Sequence, residues 1–156
     1  LRDLAGANQI LNIVDPVLNA RATLRNRKNK HLPVFVKLAP DFTDDDLVQV
    51  LEALKQTDAD GVILTNTTVS RTGLQSEHQA EIGGLSGAPL IDMSEHCLKL
   101  AHQVIGGQLP IISVGGVMSG EDALRRLTLG ASLVQIYTGL IYRGPGLVKE
   151  AVRVTQ

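Results

Sequence analysis

The sequence predicts an α/β protein with a parallel sheet, because short apolar segments alternate along the chain with segments of helical periodicity. The apolar residues of each segment are continuous rather than alternating, which is typical of parallel strands that are buried on both faces. Strands are predicted over residues 34–38, 61–64, 111–114 and 133–136. Two architectures fit this order: a small doubly wound sheet, and four consecutive units of an eightfold barrel. A complete barrel takes roughly 250 residues, so this chain would supply about half of one.

Capping residues delimit the predicted helices. Thr43 with Asp46, and Ser119 with Asp122, have the spacing of a capping box. Gly106 and Gly130 are predicted to end helices. A buried stripe with helical spacing is formed by Leu47, Val50, Leu51 and Leu54. Further helices are predicted around residues 15–29, over 94–105, and from Gly144-Pro145 through 152.

The composition argues against some classes of function. The formal net charge is -1, so the chain has no basic surplus for binding nucleic acid. Cys97 is the single cysteine, which leaves no intrachain disulfide and predicts a small buried hydrophobic residue. No apolar run reaches the length of a membrane span, so we expect a soluble chain.

Two features of the first 30 residues carry weaker signals. Arg25, Arg27, Lys28 and Lys30 form a basic cluster near its end, which we interpret as a solvated helix terminus favoured by the helix dipole. The chain begins at Leu1 rather than at a methionine, and we expect that an upstream segment has been removed.

Polar side chains follow the first two predicted strands. Lys37 lies at the end of an apolar run, where it would either face an anionic ligand or extend to water at the strand edge. Asn66 and Thr67 offer amide and hydroxyl groups that can bind a carboxylate or an imide-like ring edge. For Thr68 a local turn that satisfies backbone groups is favoured.

Glycines mark the later strand ends. Residues 69–91 form a long connection that contains GGLSG at 83–87, and such connections are often binding loops. Gly115-Gly116 follows the third strand, and Ser119 begins a helix, which predicts a phosphate cradle. Tyr137-Thr138 could donate further N–H groups, although Gly116 in a tight turn and Tyr137 as a packing ring are the simpler interpretations.

Metal and hydrolytic sites are not predicted. The acidic residues Asp41, Asp44, Asp45 and Asp46 lie at a helix start, where carboxylates are favoured electrostatically. The four histidines show no clear ligand spacing, and no Ser-His-Asp or Cys-His set can be assembled.

Five segments together resemble dihydroorotate dehydrogenases of the quinone-dependent class 2, in the order of that family over nearly the whole chain. They are VKLAPD at 36–41, DGVILTNTT at 60–68, GGLSGAPL at 83–90, VGGV at 114–117 and GASLVQIYTG at 130–139. The resemblance implies the C-terminal half of a (β/α)8 TIM barrel, with four parallel βα units. Residues 1–156 would form a partial FMN-binding domain without its N-terminal half.

The resemblance also implies roles for individual residues. Those that bind FMN would be Lys37, Thr65, Gly87, Gly116, Tyr137 and Thr138, and those that bind dihydroorotate or orotate would be Asn66 and Thr67. The implied reaction is the oxidation of dihydroorotate to orotate in pyrimidine synthesis, in which FMN takes the hydride and a membrane quinone takes the electrons.

Family members carry further elements ahead of the stretch that resembles residues 1–4. These include a serine base, the first barrel strands and the helices that receive quinone at the membrane. We therefore expect no catalytic base in this chain, and an inactive fragment when it is isolated. The full-length protein is expected to be peripheral on the cytoplasmic side of the inner membrane, if it is bacterial.

Two other interpretations stay open. Another barrel enzyme that binds FMN or a phosphosugar could share the Gly-Gly turn without recognising orotate. Alternatively, a non-catalytic half-barrel could self-associate through its open sheet edges, since exposed edge strands of Val and Ile favour pairing.

Overall fold

The computed structural model describes residues 6–28 and 31–156. The helices are α1 (Ala7–Lys28), α2 (Asp44–Lys55), α3 (Ile91–Ile105), α4 (Gly120–Thr128), α5 (Thr138–Arg143) and α6 (Gly146–Thr155). The strands are β1 (Phe35–Leu38), β2 (Gly61–Leu64), β3 (Ile111–Val114) and β4 (Leu133–Gln135). The predictions for residues 1–4 and for the side chains of Arg25, Arg27, Lys28 and Lys30 lie outside the described part of the chain.

The four strands form one parallel sheet in the order β1-β2-β3-β4. The register places Val36 opposite Val62, and Ile63 opposite Ile112. A doubly wound sheet reverses its strand order at a switch point, whereas a barrel adds each strand beside the one before it. The strand order therefore favours four consecutive units of a barrel over the doubly wound alternative.

Helices α1, α2 and α3 pack with the sheet around one aliphatic core. The predicted stripe of α2 is confirmed, because Leu47, Val50, Leu51 and Leu54 are all buried. Burying one such side chain contributes about 1.5–3 kcal/mol, so this helix is held chiefly by its inner face. Cys97 is also buried in this core, and burial raises the pKa of its thiol to about 11.

The predicted helix ends are largely confirmed. Thr43 Oγ1 accepts the Asp46 N–H at 3.2 Å, and Ser119 Oγ accepts the Asp122 N–H at 3.0 Å. Gly106 ends α3 in the left-handed region at φ 57°, where a residue without Cβ carries no steric penalty.

Helix α1 begins well before the predicted start near residue 15. Its buried residues Ile10, Val14 and Leu18 recur four apart and form one face against the core, while Pro16 lies on the exposed face. This packing extends the helix in both directions past the proline. In the described part of the chain no helix, α1 included, is long and apolar enough to cross a membrane.

Further element boundaries also differ from the prediction. Helix α3 begins at Ile91 rather than Ser94, because a 3₁₀ turn over Ala88–Leu90 leads directly into it. Strand β4 ends before residue 136, and the chain turns at Tyr137 into α5, which the sequence did not predict. Helix α6 then continues beyond the predicted end at residue 152.

Candidate functional site

The carboxyl ends of the four strands surround a cavity of about 340 Å³. Every strand, or the segment directly after it, contributes to its wall. All eight residues predicted to bind cofactor or substrate line this cavity: Lys37, Thr65, Asn66, Thr67, Gly87, Gly116, Tyr137 and Thr138. The structure thus brings together residues that are far apart in the sequence, at the sheet edge where parallel α/β folds bind ligands.

Strands β1 and β2 present the first part of the wall. Lys37 is exposed while its neighbour Leu38 is buried, and Lys37 lines the cavity. Among the described residues that line the cavity, Lys37 is the one with a formal charge at neutral pH. The cavity therefore has a cationic wall and no lining carboxylate, a combination that favours an anionic ligand.

The chain continues the ladder of hydrogen bonds past the end of β2. The Thr65 N–H donates to the Val114 carbonyl at 2.8 Å, and the Asn66 N–H donates to the Leu38 carbonyl at 2.7 Å. These bonds hold Thr65 and Asn66 between the ends of the neighbouring strands. The Leu64–Thr65 peptide bond is cis.

Thr65 carries an unusual polar atom. Its side chain is 2% exposed, and its Oγ1 atom is buried without a hydrogen-bond partner in the described part of the chain. Buried hydroxyl groups are nearly always paired, and an unpaired one costs about 1–3 kcal/mol. Thr65 is also one of the residues that line the cavity, so this unpaired hydroxyl lies close to it.

Of the polar residues after Thr65, some line the cavity and one supports the loop that carries them. Asn66 is exposed, and its Oδ1 atom accepts the Thr67 N–H at 2.8 Å. Thr68 is buried, accepts the Ser70 N–H at 2.9 Å and donates to the Asp41 carboxylate. The local turn predicted for Thr68 is confirmed, and Thr68 does not line the cavity.

Asp41 has a different position from the one predicted. Asp44, Asp45 and Asp46 occupy the first turn of α2 as expected. Asp41 lies ahead of the helix and binds Thr68 and the Val69 N–H of the loop after β2. In the described part of the chain no group of three or more His, Cys, Asp or Glu side chains could hold a metal ion.

The glycine-rich connection after β2 forms the part of the cavity wall next to the start of α5. Gly87 has φ 83°, and a Cβ atom there would lie 3.0 Å from Thr138 Cγ2. Next to it, Thr138 Oγ1 donates to Ser86 Oγ at 2.9 Å. This pair of hydroxyl groups joins the connection to the start of α5. Ser86 lines the cavity but was not predicted.

The Gly115-Gly116 turn is packed against the start of α3. Gly116 has φ 75°, and a Cβ atom there would lie 2.5 Å from Ile91 Cγ1 and 2.7 Å from Ile91 N. Only glycine fits this place without moving backbone. The close approach leaves bare main chain in the cavity wall, as the prediction of an anion cradle requires.

The start of α4 does not contribute to that cradle, contrary to the prediction. The Met118 N–H donates to Asp122 Oδ2 at 2.9 Å, and the Gly120 N–H donates to Glu150 Oε1 at 2.8 Å. With Ser119 capping Asp122, the N–H groups of Met118, Gly120 and Asp122 are all paired within the protein. Ser119 is also absent from the cavity wall.

Two carboxylates near this helix end are held ionised. Although partial burial acts to raise it, hydrogen bonds from Met118 N–H and Arg125 hold the pKa of Asp122 below its usual value. The pKa of Glu150 is also lowered, chiefly by the hydrogen bond from the Gly120 backbone. Both groups stabilise the turn that follows Gly116.

The chain is similar in sequence to proteins of known family. A family model described as dihydroorotate dehydrogenase matches residues 3–154. The dihydroorotate dehydrogenase (quinone) of Pseudomonas fluorescens is 46% identical over 153 residues, which cover 97% of this chain and 45% of that protein. The protein of the same name from Halorhodospira halophila is 47% identical over 154 residues, covering 98% and 45%. The chain thus spans about half the length of the curated relatives it matches.

Solved structures agree in fold. A crystal structure of DHODH from Eimeria tenella in complex with ferulenol has a TM-score of 0.89 and 35% identity, covering 96% of this chain and 44% of that one. A ligand-free structure from the same organism has a TM-score of 0.88 and 34% identity, covering 99% and 46%. This likeness confirms the predicted fold, a part of a (β/α)8 barrel with four parallel βα units.

Proposed function

The chain belongs to the dihydroorotate dehydrogenase family, and from this premise we propose that it forms one side of a flavin and dihydroorotate site. The protein that contains it would oxidise dihydroorotate to orotate, with FMN as cofactor and a quinone as electron acceptor. This is a step of pyrimidine synthesis. The observation that carries the proposal is the meeting of eight sequence-predicted residues around one cavity, seven of them at or just after the four strand ends and Gly87 in the connection after β2.

The residues present fit a flavin. Thr65 lines the cavity and its hydroxyl has no partner within the described residues, and a flavin ring would offer it carbonyl and ring nitrogen atoms. At Gly116 and Gly87 the main chain is exposed to the cavity, and a phosphate there could accept hydrogen bonds from main-chain N–H groups. When bound, FMN supplies a hydride acceptor. Lys37 would stand beside the ring and favour its anionic reduced form.

Asn66 and Thr67 are proposed to bind the substrate. Both line the cavity next to Thr65, and together they offer amide and hydroxyl groups to a carboxylate or to the imide edge of the ring. We assign the role of proton-abstracting base to no residue of this chain. The 156-residue chain by itself is therefore proposed to be inactive.

The electron acceptor and the cellular location are proposed from the relatives. Their printed names specify a quinone, which is a lipid-soluble acceptor. A peripheral position at the cytoplasmic side of the inner membrane, if the source is bacterial, would give the flavin access to it. The segment that contacts the membrane would belong to the N-terminal region of the full-length protein.

A second proposal concerns the isolated chain. Within residues 6–28 and 31–156, strands β1 and β4 each pair with one neighbour, and Leu133 of β4 is 61% exposed. Unpaired edges with apolar side chains favour strand pairing between chains. A gel-filtration mass of a dimer or larger species would support self-association, and a monomer mass would contradict it.

The first experiment separates these functions. The protein carrying this chain at its full natural length is purified, and its flavin is identified by absorbance and mass. Orotate is then titrated while the flavin spectrum is followed. We expect bound FMN and a saturable change with orotate. Bound FMN without any response to orotate would instead favour another flavin barrel, and absence of flavin would favour a scaffold.

Variants of Asn66 make the test specific. Asn66→Ala should retain FMN and lose at least about tenfold in orotate affinity, because one or two hydrogen bonds to a charged ligand are removed. Asn19→Ala, on the exposed face of α1, is the matched control. Equal orotate affinity in both variants would contradict the assignment of Asn66.

A further inference from the structure

Arg126 is a fully buried cation directly behind the cavity wall. Its relative exposure is 0%, although Arg125 beside it on α4 is partly exposed. The guanidinium group donates to the Gly115 carbonyl at 2.8 Å and to Ser113 Oγ at 3.3 Å. Arg126 does not line the cavity itself. Burying a charge is costly, so packing alone does not explain why an arginine occupies this position.

The contact with Gly115 determines how the cavity wall is oriented. The Gly115 carbonyl accepts a second hydrogen bond from Ser94 Oγ, also at 2.8 Å. In a trans peptide the carbonyl and the following N–H point in opposite directions. With its carbonyl held by Arg126 and Ser94, the Gly115–Gly116 peptide directs the Gly116 N–H away from Arg126. Gly116, which carries this N–H, lines the cavity.

Arg126 also ties this peptide to the neighbouring helix. It lies 3.4 Å from the Ile91 carbonyl, and Ile91 is the residue against which Gly116 packs. Hydrogen bonds in such a chain polarise one another, so a cation on the carbonyl strengthens the N–H as a donor. On its other side Arg126 Nε lies 3.4 Å from Glu95 Oε1, an ion pair without a hydrogen bond at Nε within the described residues.

We propose that Arg126 is a positioning residue for the flavin phosphate, and that it acts through the Gly115–Gly116 peptide without touching the ligand. This proposal rests on the proposed flavin site. Its specific consequence is that Arg126 distinguishes FMN from riboflavin, which has the same ring and ribityl chain but no phosphate. A purely structural role would affect both ligands alike.

The test measures dissociation constants of FMN and riboflavin for the flavin-free protein at its full natural length, by quenching of flavin fluorescence. In Arg126→Met we expect FMN affinity to fall by about tenfold or more, with riboflavin affinity nearly unchanged. Arg126→Lys keeps a cation and should restore much of the FMN preference. Arg125→Met, which removes the neighbouring arginine, should keep the full preference.

If Arg126→Met does not fold, Arg126→Gln provides a second test, because its side-chain amide is a donor for the Gly115 carbonyl. It should show a smaller but still selective loss of FMN affinity. Equal losses for FMN and riboflavin, or an unchanged preference in every Arg126 variant, would overturn the proposal and leave the flavin site intact. A wild-type protein that binds neither flavin would refute the proposed function itself.

Discussion

The hydroxyl group of Thr68 donates a hydrogen bond to the carboxylate of Asp41, which joins the loop after β2 to the loop after β1. The same carboxylate accepts the Val69 N–H at 3.1 Å. Asn66 and Thr67 directly precede this junction. Asp41 therefore fixes the segment that carries the proposed substrate contacts.

Replacing Asp41 should weaken both the fold and the substrate site. Asp41→Ala leaves the buried Thr68 hydroxyl without its acceptor, and we expect a loss of about 1–2 kcal/mol in the free energy of unfolding. Orotate affinity should fall more than FMN affinity. Denaturant unfolding and titrations measure these effects. Asp45→Ala, an exposed first-turn residue of α2, is the control and should leave orotate affinity unchanged.

A methyl group on Gly116 should destabilise the protein and close the phosphate cradle. It would collide with Ile91 at a positive φ, for which we expect about 1–3 kcal/mol of lost stability. Gly146→Ala is a matched control, because a Cβ atom there meets nothing within 4 Å. A Gly116→Ala protein as stable as Gly146→Ala, with equal FMN affinity, would refute this packing.

Removing the cation of Lys37 should make the bound flavin harder to reduce. The anionic reduced form loses its positive neighbour, so the midpoint potential of Lys37→Met should become more negative. A redox titration followed by absorbance measures this shift. Lys99→Met, on the exposed face of α3, should not move the potential, and an equal shift in both variants would contradict the placement of Lys37.

The lowered pKa of Asp122 predicts a loss of stability in acid. Because its pKa is lower in the folded protein than in the unfolded chain, its contribution is complete above the usual value near 4. It is lost as the pH falls through the folded pKa. Asp122→Asn should therefore flatten the acid limb of the unfolding free energy. Glu121→Gln, on the same helix turn, controls for the loss of one carboxylate, and equal slopes in wild type and Asp122→Asn would contradict the prediction.

Features with a local cause could be predicted from the sequence. The strand Gly61–Leu64 and the caps at Thr43 and Ser119 depend on neighbouring residues, and the structure has them where predicted. The site residues at the strand ends could be predicted because parallel strands deliver their carboxyl ends to one edge. The resemblance to a family then supplied the roles of Lys37 and Asn66, which stay predictions.

Features that depend on tertiary packing were missed. Arginine side chains are mostly exposed, so nothing in the sequence indicates that Arg126 is buried; its burial depends on the placement of α4 against Gly115. The sequence at the start of α4 is typical of an anion site, but Glu150, which is distant in the sequence, accepts the hydrogen bond of the Gly120 N–H. Helix α5 has six residues, too few for a helical repeat to be recognised.

The most direct test is a crystal structure of the full-length protein with FMN and orotate. We predict the phosphate within hydrogen-bond distance of the Gly116 N–H, the flavin ring beside Lys37 and Thr65 Oγ1, and orotate against Asn66. A flavin bound elsewhere, or a ring that leaves Thr65 Oγ1 without a partner, would contradict the proposed site.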